Sequence, residues 1–212
     1  AQFTELDLLV QDRLYDFTTR SWLVNADAFW PRWIFYTGPK LLFVAIGAGA
    51  FVAWLLTWKL PAWQPYRLRL GLFLLALILI PVTIAGIKNV SNIHCPWSLE
   101  RYGGGVPHVP PFSAYPAGYR LDRPGKCFPA GHPSGGFAFM MLYFVFTSPR
   151  ARRAGLAAGL LLGWVLGLYQ MFKGAHFFSH VLLTMLASWL MILLIRRLCS
   201  QGTMPGVETL ND

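Results

Sequence analysis

Charged residues are scarce in this chain of 212 residues. They make up 13% of it, whereas soluble domains average about 25%. Hydrophobic residues make up 55% of the chain, which leaves little material for a separate soluble core and points to lipid surroundings. We therefore predict one integral-membrane domain over residues 1–212.

Nucleotide-binding motifs are also missing. The glycines at 103–105 form neither a G-x-G-x-x-G pattern nor a P-loop, so no soluble cofactor is predicted. The formal net charge is +9, but the basic residues stand in short clusters beside apolar segments instead of in one long tract. That placement is typical of the cytoplasmic ends of membrane helices and argues against nucleic-acid binding.

The apolar stretches predict an all-α fold, a polytopic transmembrane helix bundle. A spanning helix needs about 20 apolar residues, so the shorter stretches are expected to need protein neighbours. Residues 1–36 mix four aspartates with aromatic residues and are predicted to form interfacial helices. Because the chain begins with Ala, a sixth span before residue 1 is an open alternative. The five predicted spans are 41–58, 70–87, 134–149, 154–171 and 177–195.

Basic clusters set the predicted orientation. They lie in the turns 59–69 and 149–153 and in the tail 196–212, which places those segments inside. By alternation, the N-terminal segment, the 88–133 loop and the 171–176 turn lie on the outer face. The predicted location is a bacterial inner membrane, with these outer segments facing the periplasm or exterior. The loop is too rich in proline and glycine to span, and a long loop in a compact protein is usually functional.

Histidines cluster on the predicted outer face. Ionisable groups at membrane depth are costly and usually serve a purpose, although ordinary loop positions suit two of the five, His94 and His108. Three short patterns carry the chemistry: Lys88 with Cys95-Pro96 after six residues, then Phe128-Pro129-Ala130-Gly131-His132, then Gly174-Ala175-His176 with His180 four residues on. Over about residues 80–195 the chain resembles the type 2 phosphatidic acid phosphatase superfamily, whose motifs are Lys-x6-Arg-Pro, Pro-Ser-Gly-His and Ser-Arg-x5-His-x3-Asp.

The resemblance implies an enzyme that removes phosphate from membrane lipids without a metal or cofactor. It assigns His176 as the nucleophile that forms a phosphohistidine and His132 as the acid that protonates the leaving oxygen. Lys88 and Gly131 match phosphate-binding positions, and His180 stands where the family has the aspartate that orients the nucleophile. The substrates implied are lipids of the bilayer: polyprenyl diphosphates, phosphatidylglycerol phosphate, phosphatidic acid or lipid A.

Several motif positions depart from the family. Cys95 and Gln170 stand in place of arginines, Ala130 and Tyr169 in place of serines, and His180 in place of the aspartate. Other cations are therefore expected to bind the phosphate, since a cation forms strong hydrogen bonds to it. The candidates are Lys173, on one helical face with His176, and Lys126, Arg120, Arg123 and Arg101 of the outer loop. His180 could orient His176 as a neutral imidazole, with Asp122 or Glu100 as alternatives.

Other interpretations stay open. His176 and His180 could bind a metal with His132, His94 or Cys95 as a third ligand, although no His-Glu-x-x-His pattern is present. Ser134-Gly135 with His176 or His180 would suit an intramembrane serine protease. A lipid-phosphate binding or transport protein without catalysis, and a lipid phosphotransferase, fit the same motifs. Cys95 and Cys127 form a disulfide or remain two thiols.

Overall fold

The fold positions one site at one end of a helix bundle. The computed structural model describes residues 5–110, 113, 115 and 124–201. Helices dominate this part of the chain, and the β-structure in it consists of a two-stranded hairpin, β1 (Tyr15–Asp16) and β2 (Ser21–Trp22), and isolated bridges. The predicted all-α membrane bundle is therefore confirmed.

The N-terminal segment is docked onto the bundle by buried polar contacts. Helix α1 (Leu6–Asp12) presents Asp7, whose carboxylate accepts hydrogen bonds from the backbone N–H (2.8 Å) and the hydroxyl (2.6 Å) of Ser179. Gln11 donates to the carbonyl of Met171 at 2.9 Å. Since Ser179 lies in the first turn of the last helix, where backbone N–H groups lack partners inside the helix, Asp7 caps that helix from a distance.

The first membrane helix begins earlier than predicted. Helix α2 (Phe29–Arg32) continues through a π-helical turn (Trp33–Thr37) into α3 (Gly38–Lys59), so that Phe29–Lys59 forms one candidate span. The predicted start at 41 was wrong because aromatic residues at 29–36 suit an interfacial helix and the first turns of a span equally well. After a 3₁₀ turn (Pro61–Tyr66), α4 (Arg67–Val90) returns across the bundle.

Two further long helices complete the set of candidate spans. Helix α7 (Pro149–Phe172) and helix α8 (Phe178–Gln201) are joined by a short turn. Together with the first helix and α4, they give four described helices that are long and apolar enough to cross a membrane. Their outward faces carry exposed side chains such as Val44, Ile78 and Leu190, as expected for surfaces in contact with lipid.

The predicted span 134–149 is not one continuous helix. It consists of α5 (Gly131–Ala138), a 3₁₀ turn (Phe139–Met141) and α6 (Leu142–Val145). Most of this segment is buried inside the protein, so its polar backbone is shielded by neighbouring helices and need not match the thickness of the bilayer.

Four glycines at every fourth position of α7 explain how the broken segment fits. A Cβ added at Gly155 would meet Leu142, one at Gly159 would meet the backbone of Met140, and one at Gly163 would meet the ring of Phe137, all within 2.7 Å. The contacts run in opposite chain order, so the segment lies antiparallel to α7. The fourth glycine, Gly167, receives Val181 of α8 in the same way. Small residues let backbones approach this closely in membrane bundles.

Candidate functional site

One cavity of about 960 Å³ opens at the end of the bundle where α4 ends, α5 begins and α7 turns into α8. Four cationic side chains and two histidines line it, and no Asp or Glu is among the described residues around it. We call it the cationic cavity. Its polar lining comprises Arg32, Tyr36, Lys40, Lys88, His132, Gln170, Lys173 and His176.

His176 lies in the turn between α7 and α8 and is only 4% exposed. The turn is closed by Gly174, whose φ of +70° suits glycine, and a Cβ there would collide with the ring of Trp22. Burial lowers the pKa of His176 well below its ordinary value, and the nearby charges of His180 and Lys88 act in the same direction. The imidazole is therefore neutral near pH 7, as a nucleophile requires.

His132 is held by the first membrane helix. It is the second residue of α5, and its Nε2 lies 2.8 Å from the carbonyl oxygen of Phe35. Its ring stacks on Tyr36 with centroids 4.5 Å apart. Both partners belong to the π-helical turn at 33–37, a type of helix irregularity often found at functional sites. An Nε2–H that donates to Phe35 leaves Nδ1 of His132 for proton transfer.

The predicted phosphate-binding residues fall into two groups. Lys88, in the last turn of α4, and Gly131, at the start of α5, both line the cationic cavity. Lys173 also lines it, with Nζ 5.1 Å from the ring centroid of Tyr36 and 4.8 Å from that of Tyr169. Burial lowers the pKa of Lys173.

The loop cations do not join this group within the described residues. Lys126 is exposed, pairs through its backbone with Ile93, and is absent from the cavity lining. Arg101 instead binds Asp12 through Nε at 2.8 Å, and this hydrogen bond lowers the pKa of Asp12. Glu100 is exposed and also lies outside the cavity lining. Arg120, Arg123 and Asp122 fall outside the described residues.

His180 lies one turn further along α8, with its ring centroid 5.9 Å from that of His176. It is 2% exposed, and its Nδ1 has no hydrogen-bond partner among the described residues. Instead of facing the cationic cavity, it lines a smaller cavity of about 240 Å³ together with Asp7, His94 and His108. We call this second space the histidine cavity. Burial lowers the pKa of His94 and of His108.

Cys95 and Cys127 form a disulfide. It joins the position of the first motif to the segment just before His132, and Sγ of Cys127 lies 3.5 Å from Nδ1 of His176. Cys127, His176 and His180 offer ligand atoms within 4.8 Å of one another. However, a disulfide sulfur is not the thiolate that binds metals, so this trio does not fit a metal in the oxidised protein.

Ser134 is poorly placed for a serine nucleophile. It is completely buried, and its hydroxyl donates to the carbonyl of Gly131 at 2.6 Å. It does not line the cationic cavity, where the two catalytic-type histidines lie. The protease interpretation therefore gains no support from the geometry.

Sequence reasoning missed the contribution of the first membrane helix. Arg32, Tyr36 and Lys40 follow one another at intervals of four residues and all line the cationic cavity. This spacing places them on one helical face, a signal that the sequence does contain. The prediction of an interfacial segment over residues 1–36 separates Arg32 and Tyr36 from the first span, so this helical face is not apparent from it.

The comparison with protein families agrees with the geometry. The model of the PAP2 superfamily, the type 2 phosphatidic acid phosphatases, matches residues 69–201. That range holds Lys88, His132 and His176, whereas Arg32, Tyr36 and Lys40 lie before it. No curated protein and no solved structure matched the chain. Since the family model covers more than half of the sequence, the chain belongs to the PAP2 superfamily of phosphatases acting on lipid-type phosphates.

Proposed function

We propose that the protein hydrolyses a phosphate monoester or diphosphate on a membrane lipid, without a metal, on the outer face of the membrane. The observation that carries this proposal is the convergence of His132, His176, Lys88 and Lys173 on one cavity that has no described carboxylate in its lining. A cavity of this charge favours an anionic headgroup, and the two histidines can supply a nucleophile and an acid.

An apolar continuation of the cavity supports a lipid substrate. Below the cations, its lining passes between the first two membrane helices, where exposed side chains such as Val44 and Ile78 face the surroundings. A hydrocarbon chain in this groove would remain in the bilayer while its headgroup reaches the histidines. The groove is lined by Phe43, Val44 and Gly47 of α3 and by Leu77, Ile78, Pro81 and Ala85 of α4.

In the first proposed step, His176 attacks phosphorus. Its Nδ1 faces Cys127, so Nε2 supplies the electron pair that forms the N–P bond. The bond between phosphorus and the lipid oxygen breaks at the same time, and that oxygen takes a proton from Nδ1 of His132. The imidazolium form of His132 is required here, with its other N–H on the carbonyl of Phe35. Burial lowers the pKa of His132 to about 4, so the negative charge of the bound phosphate has to stabilise this proton.

In the second step, water releases the phosphate. His132, now neutral, takes a proton from the water molecule as its oxygen attacks phosphorus and the N–P bond breaks. His176 returns to the neutral form, and the products are inorganic phosphate and a lipid alcohol or lipid monophosphate. During both steps Lys88, Lys173 and the backbone at Gly131 would bind the phosphate oxygens, the last of these at a helix N-terminus.

Phosphate release tests this proposal. The protein purified in detergent with EDTA should release inorganic phosphate from at least one lipid of a panel that contains a polyprenyl diphosphate, phosphatidic acid, phosphatidylglycerol phosphate and lipid A. His176→Ala should abolish release, whereas His108→Ala, a matched control in the histidine cavity, should retain it. Release from none of these lipids, or release that depends on added zinc, would reject the proposal.

A binding or transport protein is the second candidate, and one observation favours it. No hydrogen bond joins His180 to His176 among the described contacts, so the orienting role of the family's aspartate is not reproduced at that position. A lipid phosphate that binds without being cleaved would support this candidate. Transfer of phosphate to an added lipid alcohol would instead identify a phosphotransferase, which uses the same two histidines.

A further inference from the structure

We infer that Arg32 and Lys40, on the first membrane helix, and the amide of Gln170 together bind the substrate phosphate in place of the two motif arginines that this chain lacks. The inference rests on the proposed function and deepens it, because it assigns phosphate binding to residues outside the family motifs. All three residues line the cationic cavity with His132 and His176.

The first argument is the charge of the cavity. The motif positions 95 and 170 hold Cys95, which is in a disulfide, and Gln170, which is neutral. Both positive charges of the motif arginines are therefore lost. Arg32 and Lys40 bring two positive charges to the same lining from another helix, and no described carboxylate around this cavity offsets them. The cavity thus holds four cations, two from the family-matched region and two from the first membrane helix.

The second argument is an unpartnered donor at the position of a motif arginine. The side chain of Gln170 is 4% exposed, and its Nε2 has no hydrogen-bond partner among the described residues. A buried donor without a partner destabilises the folded protein, so such a group is normally satisfied by a ligand or by water. Because Gln170 lines the cationic cavity, a phosphate oxygen there would supply the acceptor.

The third argument is the way in which Lys40 and His132 share one aromatic side chain. Nζ of Lys40 donates to the hydroxyl of Tyr36 at 3.1 Å and lies 4.2 Å from its ring centroid. The same ring stacks on the imidazole of His132, with centroids 4.5 Å apart. Tyr36 therefore keeps Lys40 beside the proposed acid, where a cation can bind the oxygens of the group that His132 protonates.

Anion binding can be measured without catalysis. Each variant is made in the His176→Ala protein, and its affinity for inorganic phosphate and for inorganic pyrophosphate is measured. Arg32→Gln and Lys40→Gln should each lower this affinity about tenfold, as expected for the loss of one charge-assisted hydrogen bond. Lys59→Gln is the matched control, since it removes the same charge from the other end of α3 and should leave the affinity unchanged. Equal affinity in all four proteins would overturn the inference.

A rescue experiment distinguishes phosphate binding from a structural role. Gln170→Arg restores the arginine of the family motif, so it should recover most of the phosphate affinity that Lys40→Gln loses, while a structural defect would not be repaired. The inference would be contradicted if Gln170→Arg did not restore the phosphate affinity of the Lys40→Gln protein and if Lys40→Arg also failed to bind phosphate. If the wild type binds phosphate through Arg32 and Lys40 but releases none from any lipid, the proposed function fails and the binding assignment stands.

Discussion

The two cavities on either side of the His176–His180 pair use the same residue type in different surroundings. The cationic cavity combines two histidines with four cations, whereas the histidine cavity combines three histidines with Asp7. Among the residues that the structure describes, only the cationic cavity has both the charge to hold a phosphate and an apolar continuation toward lipid. The histidines of this chain therefore differ in the charge of their neighbours, and their clustering does not by itself assign a role to each of them.

Apart from substitution of His176, substitution of His132 is expected to lower kcat the most. His132→Ala should lower kcat about 10²–10⁴-fold on a natural lipid phosphate, the usual range for a general acid. His94→Ala, in the histidine cavity, should change kcat little. Steady-state kinetics with both variants checks this difference.

Leaving-group dependence sharpens the assignment of His132. A substrate with an activated leaving group, such as p-nitrophenyl phosphate, needs no proton from the enzyme when the bond to phosphorus breaks. The defect of His132→Ala should therefore be much smaller on that substrate during formation of the phosphoenzyme. An equal defect on both substrates would show that His132 acts in some other way, for example by holding the first membrane helix.

The next prediction concerns His180, which lines the histidine cavity and lies one helical turn from His176. His180→Asp restores the carboxylate of the family motif beside His176, and a carboxylate stabilises a positively charged imidazole better than a neutral imidazole does. We expect kcat to rise by roughly tenfold, together with a loss of thermal stability because the new charge is buried. Steady-state kinetics and thermal melting in detergent measure the two effects. An unchanged kcat in a folded variant would indicate that another group already orients the nucleophile.

Sequence patterns predicted the helices and several residues of the cationic cavity, but they did not predict the contribution of the first membrane helix. Apolar stretches predicted the helices, because that signal is local, and the resemblance to the family implied that Lys88, His132 and His176 would act together. The cavity also needs Arg32 and the backbone carbonyl of Phe35, whose positions depend on a helix that precedes the motifs. A carbonyl leaves no trace in the sequence, and the side that Arg32 faces is decided by tertiary packing.

The same limit applies to the segment at 131–145. Its hydropathy suggested one span, but its shape follows from the glycines of α7, which admit the backbone of Met140 and the ring of Phe137. Glycines at every fourth residue are visible in the sequence, whereas the partner that they receive is not. For His180, spacing gave the correct proximity to His176, but it could not reveal that Nδ1 would be left without a described partner.

A pH profile separates the two histidines of the cationic cavity. Because burial lowers the pKa of His176 well below 6.5, the ring remains neutral and nucleophilic as the pH falls through 6.5. With His132→Ala and an activated substrate, protonation of the proposed acid no longer contributes to the profile. The rate should therefore stay constant within about a factor of two to about one pH unit below 6.5. A fall centred near pH 6.5 would mean that His176 has an ordinary pKa and is less enclosed than its burial indicates.

The smallest effect is expected for Arg101, an outer-loop arginine that is held outside the cationic cavity. Its guanidinium pairs with Asp12 while its side chain stays 46% exposed, and such a surface pair contributes only about 0.2–1 kcal/mol to stability. Arg101→Gln should lower the thermal midpoint slightly and leave KM for the lipid phosphate unchanged.

The ion pair between Arg101 and Asp12 lowers the pKa of Asp12, so its contribution to stability is present at neutral pH and is lost as the pH falls and the carboxylate is protonated. The wild type and Arg101→Gln should therefore differ in thermal midpoint at pH 7 and converge in acid, whereas a rise in KM for Arg101→Gln would place a loop cation at the phosphate after all.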